Sequence, residues 1–514
     1  MASSSNPNPR PHVPSLSEIR DRTVAAFGVR PCLWQIQVVQ AILRGDKNVI
    51  SIAGTGMGKT LTFWMPLLFR PPGSIQVVVT PLNILGKQNV ACLDKAGFKG
   101  IFISAESATP ENFRAIEELK YQAIIINPEQ LVKVEGGFEN LATKNPGFAD
   151  RIISTIFDEG HCISAWGSFR PEYSQVGRIR LLLPNTRILI TSATLPELVL
   201  HDVLKILGLP LKDMEIFRRS SDRPNIHLVV RPIQSAISSF ADLSFLLQNW
   251  QPGDPPPPKF LVFFDDINES IRACLYLRSL LPPSFRHKLK WFNSDMSNKF
   301  KDTETRNLML GESWGNFATD SFGMGLDISD IRMDVQWRAT CSMSTLWQRF
   351  GRGGRDQSLE AVAIFLVEKE HFDETKERKA EKKSKKAAAK KRNQKSRNDG
   401  PPPEKRPRTS QHAPVLQARQ LPNQEVVIES DGTSSESESD AEGCEQLNER
   451  YTTRPIDQSI KRKRKRADRE IGPAMDDFIN AKRRGFPCRR KPSNAFFQNN
   501  KAGKYLLRAS YHHD

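Results

Sequence analysis

The sequence predicts an α/β protein: two tandem lobes, each a doubly wound parallel sheet, followed by a largely disordered basic C-terminal tail. Three observations carry this. Short β-branched runs alternate with helical patterns from about residue 15 to residue 367. The runs are apolar throughout, as strands buried on both faces must be. Beyond residue 367 such runs give way to blocks of charge, which cannot bury enough apolar surface to offset the entropy of ordering.

Taken in order, residues 1–14 are rich in Pro and Ser and read as loose. Residues 15–217 form the first lobe, with strands expected at Val49–Ile52, Ile75–Thr80, Ile124–Asn127, Ile152–Phe157 and Arg187–Thr191. A seam falls near 215–225. Residues 218–367 form the second lobe, with strands at Phe260–Phe264 and Val362–Val367 and a surface loop at Pro255–Pro258. Residues 368–470 read as a low-complexity charged linker in which Lys376–Lys391 has the composition of a solvated helix. Residues 471–514 form a basic C-terminal segment.

The 514 residues carry a net charge of +17, which favours polyanionic partners without specifying a fold. Seven cysteines are scattered with no C-x-x-C pair, which argues against a disulfide framework or a complete zinc module and for a reducing compartment. The N-terminus has no apolar core of a secretory signal, and no apolar run reaches membrane-spanning length, so no membrane partner is expected.

The chemistry-bearing segments sit at strand ends. Ala53, Gly54, Thr55, Gly56, Met57, Gly58, Lys59 and Thr60 follow the run Val49–Ile52 and precede a helical pattern. Glycines there let backbone N–H groups wrap phosphates; Lys59 would neutralise β/γ oxygens, and the Thr60 hydroxyl would ligate Mg²⁺. Ala53 stands where the pattern has Gly. Asp158 and Glu159 end the run Ile152–Phe157, where parallel sheets bind ligands. Asp158 would hold Mg²⁺ and Glu159 would polarise the attacking water. Thr191, Ser192, Ala193 and Thr194 follow another strand, with hydroxyls placed to link a nucleotide site to a nucleic-acid groove. Arg352 and Arg355, three apart in Gln348–Asp356, would bring positive charge to the γ-phosphate.

These segments, in this order, resemble the RecQ family of ATP-dependent DNA helicases, members of superfamily 2. The most specific match is Asp158–Tyr173, similar to the family's motif II with its aromatic-rich loop. Thr80, Pro81 and Leu82 resemble motif Ia, Asn127–Glu129 motif Ib, Asp222–Ile226 the lobe junction, Ala318–Asp327 motif V and Gln348–Asp356 motif VI. The resemblance covers roughly residues 15–367. It implies two RecA-like lobes, ATP and Mg²⁺ as cofactors, and 3′-to-5′ movement on single-stranded or partly duplex DNA in repair or recombination. Gln35 would read the adenine and Gln348 would line the nucleotide site. Arg355 would be the arginine finger, with Arg352 assisting. Trp166, Phe169 and Arg170 would sense DNA, with Thr80 and Pro81 beside them.

The match has departures. Gly160 replaces the family's usual Ala and would loosen the backbone beside the acidic pair. Cys32 replaces an arginine near the adenine, and Phe292–Met296 departs from the second-lobe pattern. Cys488–Phe497 resembles the start of the family's zinc module, but the further cysteines do not follow, so zinc is not expected. Without the winged domain that commonly follows, translocation is expected to exceed unwinding. In the tail, Lys405–Arg408 and Lys461–Arg466 resemble nuclear import signals, implying an import receptor and the nucleus beside the cytoplasm. Val426–Ile428 before the acidic Ser tract resembles a SUMO-interacting segment. Two other readings compete: an RNA helicase of the same superfamily, and a catalytically degenerate copy that only binds DNA.

Overall fold

The computed structural model describes residues 13–167, 170–248, 250–320, 328–356, 358–397, 446–452 and 471–501. Seven strands form the first sheet: β1 (Asn48–Ile52), β2 (Ile75–Val79), β3 (Gly100–Ile103), β4 (Ala123–Ile126), β5 (Ile152–Phe157), β6 (Arg187–Ser192) and β7 (Met214–Arg218). Their order is β3-β4-β2-β5-β6-β1-β7, with every recorded pairing parallel. The second sheet contains β8 (Ile226–Pro232), β9 (Phe260–Phe263), β10 (Leu289–Phe292), β11 (Gly315–Ala318), β12 (Met333–Trp337) and β13 (Ala361–Val367), in the order β10-β11-β9-β12-β13-β8.

The apolar runs make this architecture. In the first lobe Ile50, Val77, Ile124 and Ile190 enter one core layer, and Val49, Val78, Ile125 and Leu189 the other. Successive side chains of a strand point to opposite faces, so a sheet with helices on both sides requires apolar residues at every position. Since β5, β6 and β1 are neighbours, their C-terminal ends bring Asp158–Glu159, Thr191–Thr194 and the Gly-rich loop side by side, about 5 Å per strand.

The region beyond residue 367 contributes more structure than its composition suggests. Asp373–Arg397 is a helix, exposed from residue 377 through 389, in keeping with the solvated helix expected within it. Residues 446–452 are helical, and Pro473–Ile479 and Arg490–Phe496 form two further helices. Met475, Phe478, Ile479 and Phe497 join the second lobe's core with Trp347, Phe350, Phe365 and Val367. Phe478 meets Trp347 edge-on at 6.1 Å, and Phe497 lies 5.6 Å from the same ring. Arg484 secures the segment with a bidentate pair to Asp373, both contacts 2.7 Å, and a 2.5 Å contact to the fully buried Asp477. Tyr451 donates to Asp477 at 2.9 Å. Such charge-assisted bonds satisfy a carboxylate that would be costly to bury alone.

Phe478→Ala is therefore expected to destabilise the second lobe by about 3–5 kcal/mol, the usual cost of emptying a buried phenyl site. Chemical denaturation of the full chain measures it; a midpoint equal to the parent's would mean that the segment does not belong to the core.

The expected segments at Phe169, 321–327, 405–408, 426–428, 434–440 and 461–466 lie outside the described residues.

Candidate nucleotide and nucleic-acid site

The Gly-rich loop leaves the C-terminal end of β1 with Gly56 and Gly58 at φ 76° and 73°, backbone that glycine adopts without a Cβ penalty. Lys59 Nζ donates to the carbonyls of Ala53 and Gly54 at 2.9 and 3.2 Å. Burial pushes its ammonium below the ordinary value, while Glu159 and Asp158 work to hold the charge. Thr60 is exposed at the turn into the helix Leu61–Trp64.

Gln35, expected to read adenine, braces the loop. Its Nε2 donates to the carbonyls of Gly58 at 2.9 Å and Met57 at 3.3 Å, and its Oε1 accepts from Cys32 N at 2.7 Å. The amide thus ties the start of the helix Leu33–Arg44 to the phosphate loop. A Cβ at Gly58 would lie 2.8 Å from Gln35 Nε2, so glycine is also a packing requirement there.

At the end of β5, Asp158 Oδ1 accepts from Glu159 N at 2.9 Å and Thr191 Oγ1 at 3.3 Å. Burial, then the neighbouring Glu159 charge, push the Asp158 carboxyl up to about 7. Glu159 has φ +49°, a strained conformation for a non-glycine residue. Its Oε2 is buried without a hydrogen-bond partner, 3.4 Å from His161 Nδ1. Gly160, expected to loosen this turn, tightens it instead: its N–H donates to Thr191 O at 2.7 Å, and a Cβ would lie 2.5 Å from Ile190 Cγ2. An alanine would require the Ile190 side chain to shift.

Gln348, expected to line the nucleotide site, spans the two lobes. Its Nε2 lies 2.9 Å from His161 Nε2 and 2.8 Å from Thr194 Oγ1. His161 Nδ1 lies 2.9 Å from Ser192 Oγ. The pattern is consistent when His161 is neutral, with Nδ1–H donating to Ser192 and Nε2 accepting from Gln348; burial lowers the imidazole's proton affinity in the same sense. The strand-end hydroxyls thus meet motif VI, Thr194 directly and Ser192 through His161. A second lobe-to-lobe bond runs from Thr55 Oγ1 to Gly351 O at 3.0 Å, and a Cβ at Gly351 would come within 2.3 Å of that hydroxyl oxygen.

Arg352 is 6% exposed and its Nε has no hydrogen-bond partner. Burial, then the charge of Arg355, push it down to about 9, opposed by Glu159, Asp334 and Asp320. Both arginines act electrostatically on Lys59, so the pair faces the phosphate loop from the other lobe. The loop carrying them is held by Asp334, outside the quoted motifs, and by side chains of the lobe-junction segment. Asp334 on β12, itself buried, accepts from Gly353 N at 2.6 Å. Asn225 Nδ2 donates to Gly354 O at 2.7 Å, and Arg223 donates to the same carbonyl. Arg349 binds Asp265, Asp320 and Gln336 at 2.6–2.9 Å. Burial opposes its charge, yet the neighbouring carboxylates hold it above the ordinary value.

Arg170, expected to sense DNA, has protein partners in the folded chain. Its Nε donates to Glu129 at 2.8 Å and its other nitrogens to Glu129 and to Pro81 O, the last at 2.7 Å. The guanidinium also stacks near Trp166 and Tyr173, 5.4 and 5.3 Å from their ring centres. It is a strut joining the aromatic-rich segment to the segments after β2 and β4. Thr80 and Pro81 are buried. Trp166 is half-buried and lines an interlobe cleft of about 310 Å³ with His161, Asp320, Gln348, Arg352 and Phe496.

The donor set fits a nucleotide and its metal: a glycine cradle, a lysine and a hydroxyl after β1 and two carboxylates after β5, with an unpartnered buried carboxylate oxygen among them. Among the described residues no cluster of three or more His, Cys, Asp or Glu is arranged for a further metal ion, and no helix is long and apolar enough to cross a membrane.

Comparison with known proteins agrees with this donor set. The DEAD/DEAH box helicase family matches residues 33–203, and the helicase conserved C-terminal domain matches residues 246–357. The putative ATP-dependent RNA helicase R290 of Acanthamoeba polyphaga mimivirus is 27% identical over 326 residues, covering 63% of this chain and 55% of that protein. The ATP-dependent DNA helicase Q-like 4B of Arabidopsis thaliana is 26% identical, covering 64% and 28%. The ATP-dependent DNA helicase RecQ of Haemophilus influenzae is 25% identical, covering 65% and 50%. The chain thus spans between 28% and 55% of the length of these relatives. Helicase MrfA bound to DNA and AMPPNP has a TM-score of 0.56 at 18% identity, covering 70% of this chain and 51% of its own. DEAD-box helicase Mss116 bound to single-stranded RNA gives 0.55 at 18%, covering 68% and 73%. Structures this distant in sequence share the fold; the two family domains make the chain's core that of a superfamily 2 helicase.

Proposed function

We propose that this protein is an ATP-driven motor of the RecQ type that moves 3′ to 5′ on single-stranded DNA, serving DNA repair or recombination in the nucleus. The observation that carries the reading is the aromatic-rich segment Asp158–Tyr173. Through Arg170 it is tied to the segments after β2 and β4, and near its start it carries Glu159. A nucleic acid lying over those segments would press on the stretch that starts with the water-activating carboxylate. Aromatic faces tolerate any base sequence, as a translocating motor requires. The named DNA helicases among the relatives support the same substrate.

The chain's own groups supply the steps. Lys59 would exchange its main-chain acceptors for phosphate oxygens, and Gln35 would keep the loop in shape while it does so. Thr60 and Asp158 would hold Mg²⁺, which when bound neutralises phosphate charge. Glu159 would accept a proton from the attacking water. Arg352 and Arg355 would meet the charge on the γ-phosphate, and the Gln348–His161–Thr194 bonds would report their arrival to the first lobe. Cleft closure and opening would then ratchet the strand.

The name of the mimivirus relative favours a second reading, an RNA helicase. ATPase rates with no nucleic acid, single-stranded DNA and single-stranded RNA, alongside Lys59→Ala, separate the two. DNA stimulation of at least tenfold, abolished in the variant, is expected. Stimulation by RNA alone would transfer the protein to the second reading, and DNA binding without hydrolysis under any condition would identify a degenerate copy.

A further inference from the structure

Beyond residue 367 the chain returns to the lobes, and what it grips there is the linker between β7 and β8. Arg490 pairs with Asp222 and donates to the carbonyls of Arg223 and Ile226, the latter at 2.5 Å. Asn499 Oδ1 accepts from Ser221 N and Oγ at 2.9 and 3.2 Å. The carbonyl of Phe497 accepts from Arg218, the last residue of β7, at 3.1 Å. Farther into the first lobe, Gln498 and Asn448 both donate to Glu197. Gln498 is 5% exposed and has φ +55°, so this buried residue is held in a conformation that side chains rarely adopt.

The two sides of this contact differ chemically. Toward the second lobe it is apolar, with Met475, Phe478, Ile479 and Phe497 inside a shared core. Toward the first lobe and the linker it is polar. Apolar burial of that extent does not come and go on the scale of a catalytic cycle. A hydrogen bond exchanged for water costs little net free energy.

We propose that residues 471–501 form a hinge clasp. The segment is fixed to the second lobe and rests a releasable polar foot on the first. It thereby sets how closely Gly351–Arg355 meets the phosphate loop, and so positions both arginines. The foot lands where such control has leverage. Glu197 lies three residues beyond Thr194, the acceptor of the Gln348 bond. Trp347, one residue before Gln348, packs on Phe478 and Phe497 and donates to Ser221 O at 3.1 Å. Arg490, Ser221 and Trp347 also line, with Gly54 and Thr55 of the phosphate loop, a narrow space of about 20 Å³. Residues 471–501 are then positioning residues: they act through the linker and the Trp347 helix.

The test uses the full chain with one dye on each lobe and AMPPNP as the closing ligand, so it does not depend on which nucleic acid the motor follows. Glu197→Ala with Asn499→Ala should broaden the interlobe distance distribution toward open states. It should raise the KM for ATP about tenfold, the factor that 1.4 kcal/mol gives, with kcat at saturating ATP changed less than twofold. The melting temperature should stay within about 2 °C, because the apolar anchor is intact. Glu197→Gln keeps an acceptor oxygen and should restore the parent distances. Parent-like distances and KM in the double variant would overturn the proposal. A fall in melting temperature beyond 5 °C would overturn it too, by showing that the foot is part of the folded core.

Discussion

Exchanging Glu159 for Gln is expected to lower kcat for ATP by about 10²–10⁴-fold, the range for removing a general base, while ATP binding stays within a few-fold of the parent. The side chain is 15% exposed and its Oε2 has no hydrogen-bond partner. The residue also holds φ +49°. A buried acceptor left unpaired costs about 1–3 kcal/mol, and the strained backbone adds to that. No hydrogen bond to that oxygen offsets the cost, as expected of a group kept for chemistry. Glutamine has the same shape and can still meet His161, so the fold should persist or become slightly more stable. Single-turnover hydrolysis and equilibrium nucleotide binding separate the outcomes. A variant that hydrolyses ATP at the parent rate would move the base elsewhere, and one that loses ATP binding would make Glu159 a binding residue.

Much of this site is legible in the sequence because its parts are short and sit at strand ends. The glycine loop, Asp158–Glu159, Thr191–Thr194 and Gln348–Asp356 each carry their chemistry within a few residues, and the parallel-sheet pattern dictates that they converge. What the sequence does not show is which partner each side chain takes. Gln348 is expected at the nucleotide site and Arg170 at DNA, and in the folded chain they bond to His161 and Thr194 and to Glu129 and Pro81. Pairings between residues 41 to 187 positions apart leave no local trace. Asp334 is similarly silent, a strand carboxylate outside every quoted motif whose partner, Gly353, lies in motif VI. The tail hid for another reason. Its average composition is polar, but Met475, Phe478 and Ile479 recur at helical spacing within Pro473–Ile479, an apolar face only two turns long. Averaging over a long charged stretch dilutes so short a signal.

Arg352 supports the second large prediction, because stability and activity should move in opposite directions. Burial and the adjacent Arg355 push its guanidinium down to about 9, so the folded chain works against a charge that water would accept freely. Its Nε is unpartnered, and Glu159, Asp334 and Asp320 only partly compensate. Arg352→Gln removes the buried cation and should leave the melting temperature unchanged or higher. A charge delivered to a γ-phosphate from the opposite lobe is worth about 10³–10⁵ in kcat, and a shortfall of that order is expected. Arg355→Gln should lose activity comparably. Arg352→Lys should recover little, since an ammonium lacks the planar fork that grips a phosphate in two places. Thermal melts and steady-state ATPase on the same samples decide the matter. If Arg352→Gln melts well below the parent, the arginine is a structural member of the interlobe contact. If it melts as the parent does and remains active, the γ-phosphate charge falls to Arg355 alone. Loss of activity in a chain made no less stable would mean that the second lobe bears the cost of this buried charge for the sake of the nucleotide.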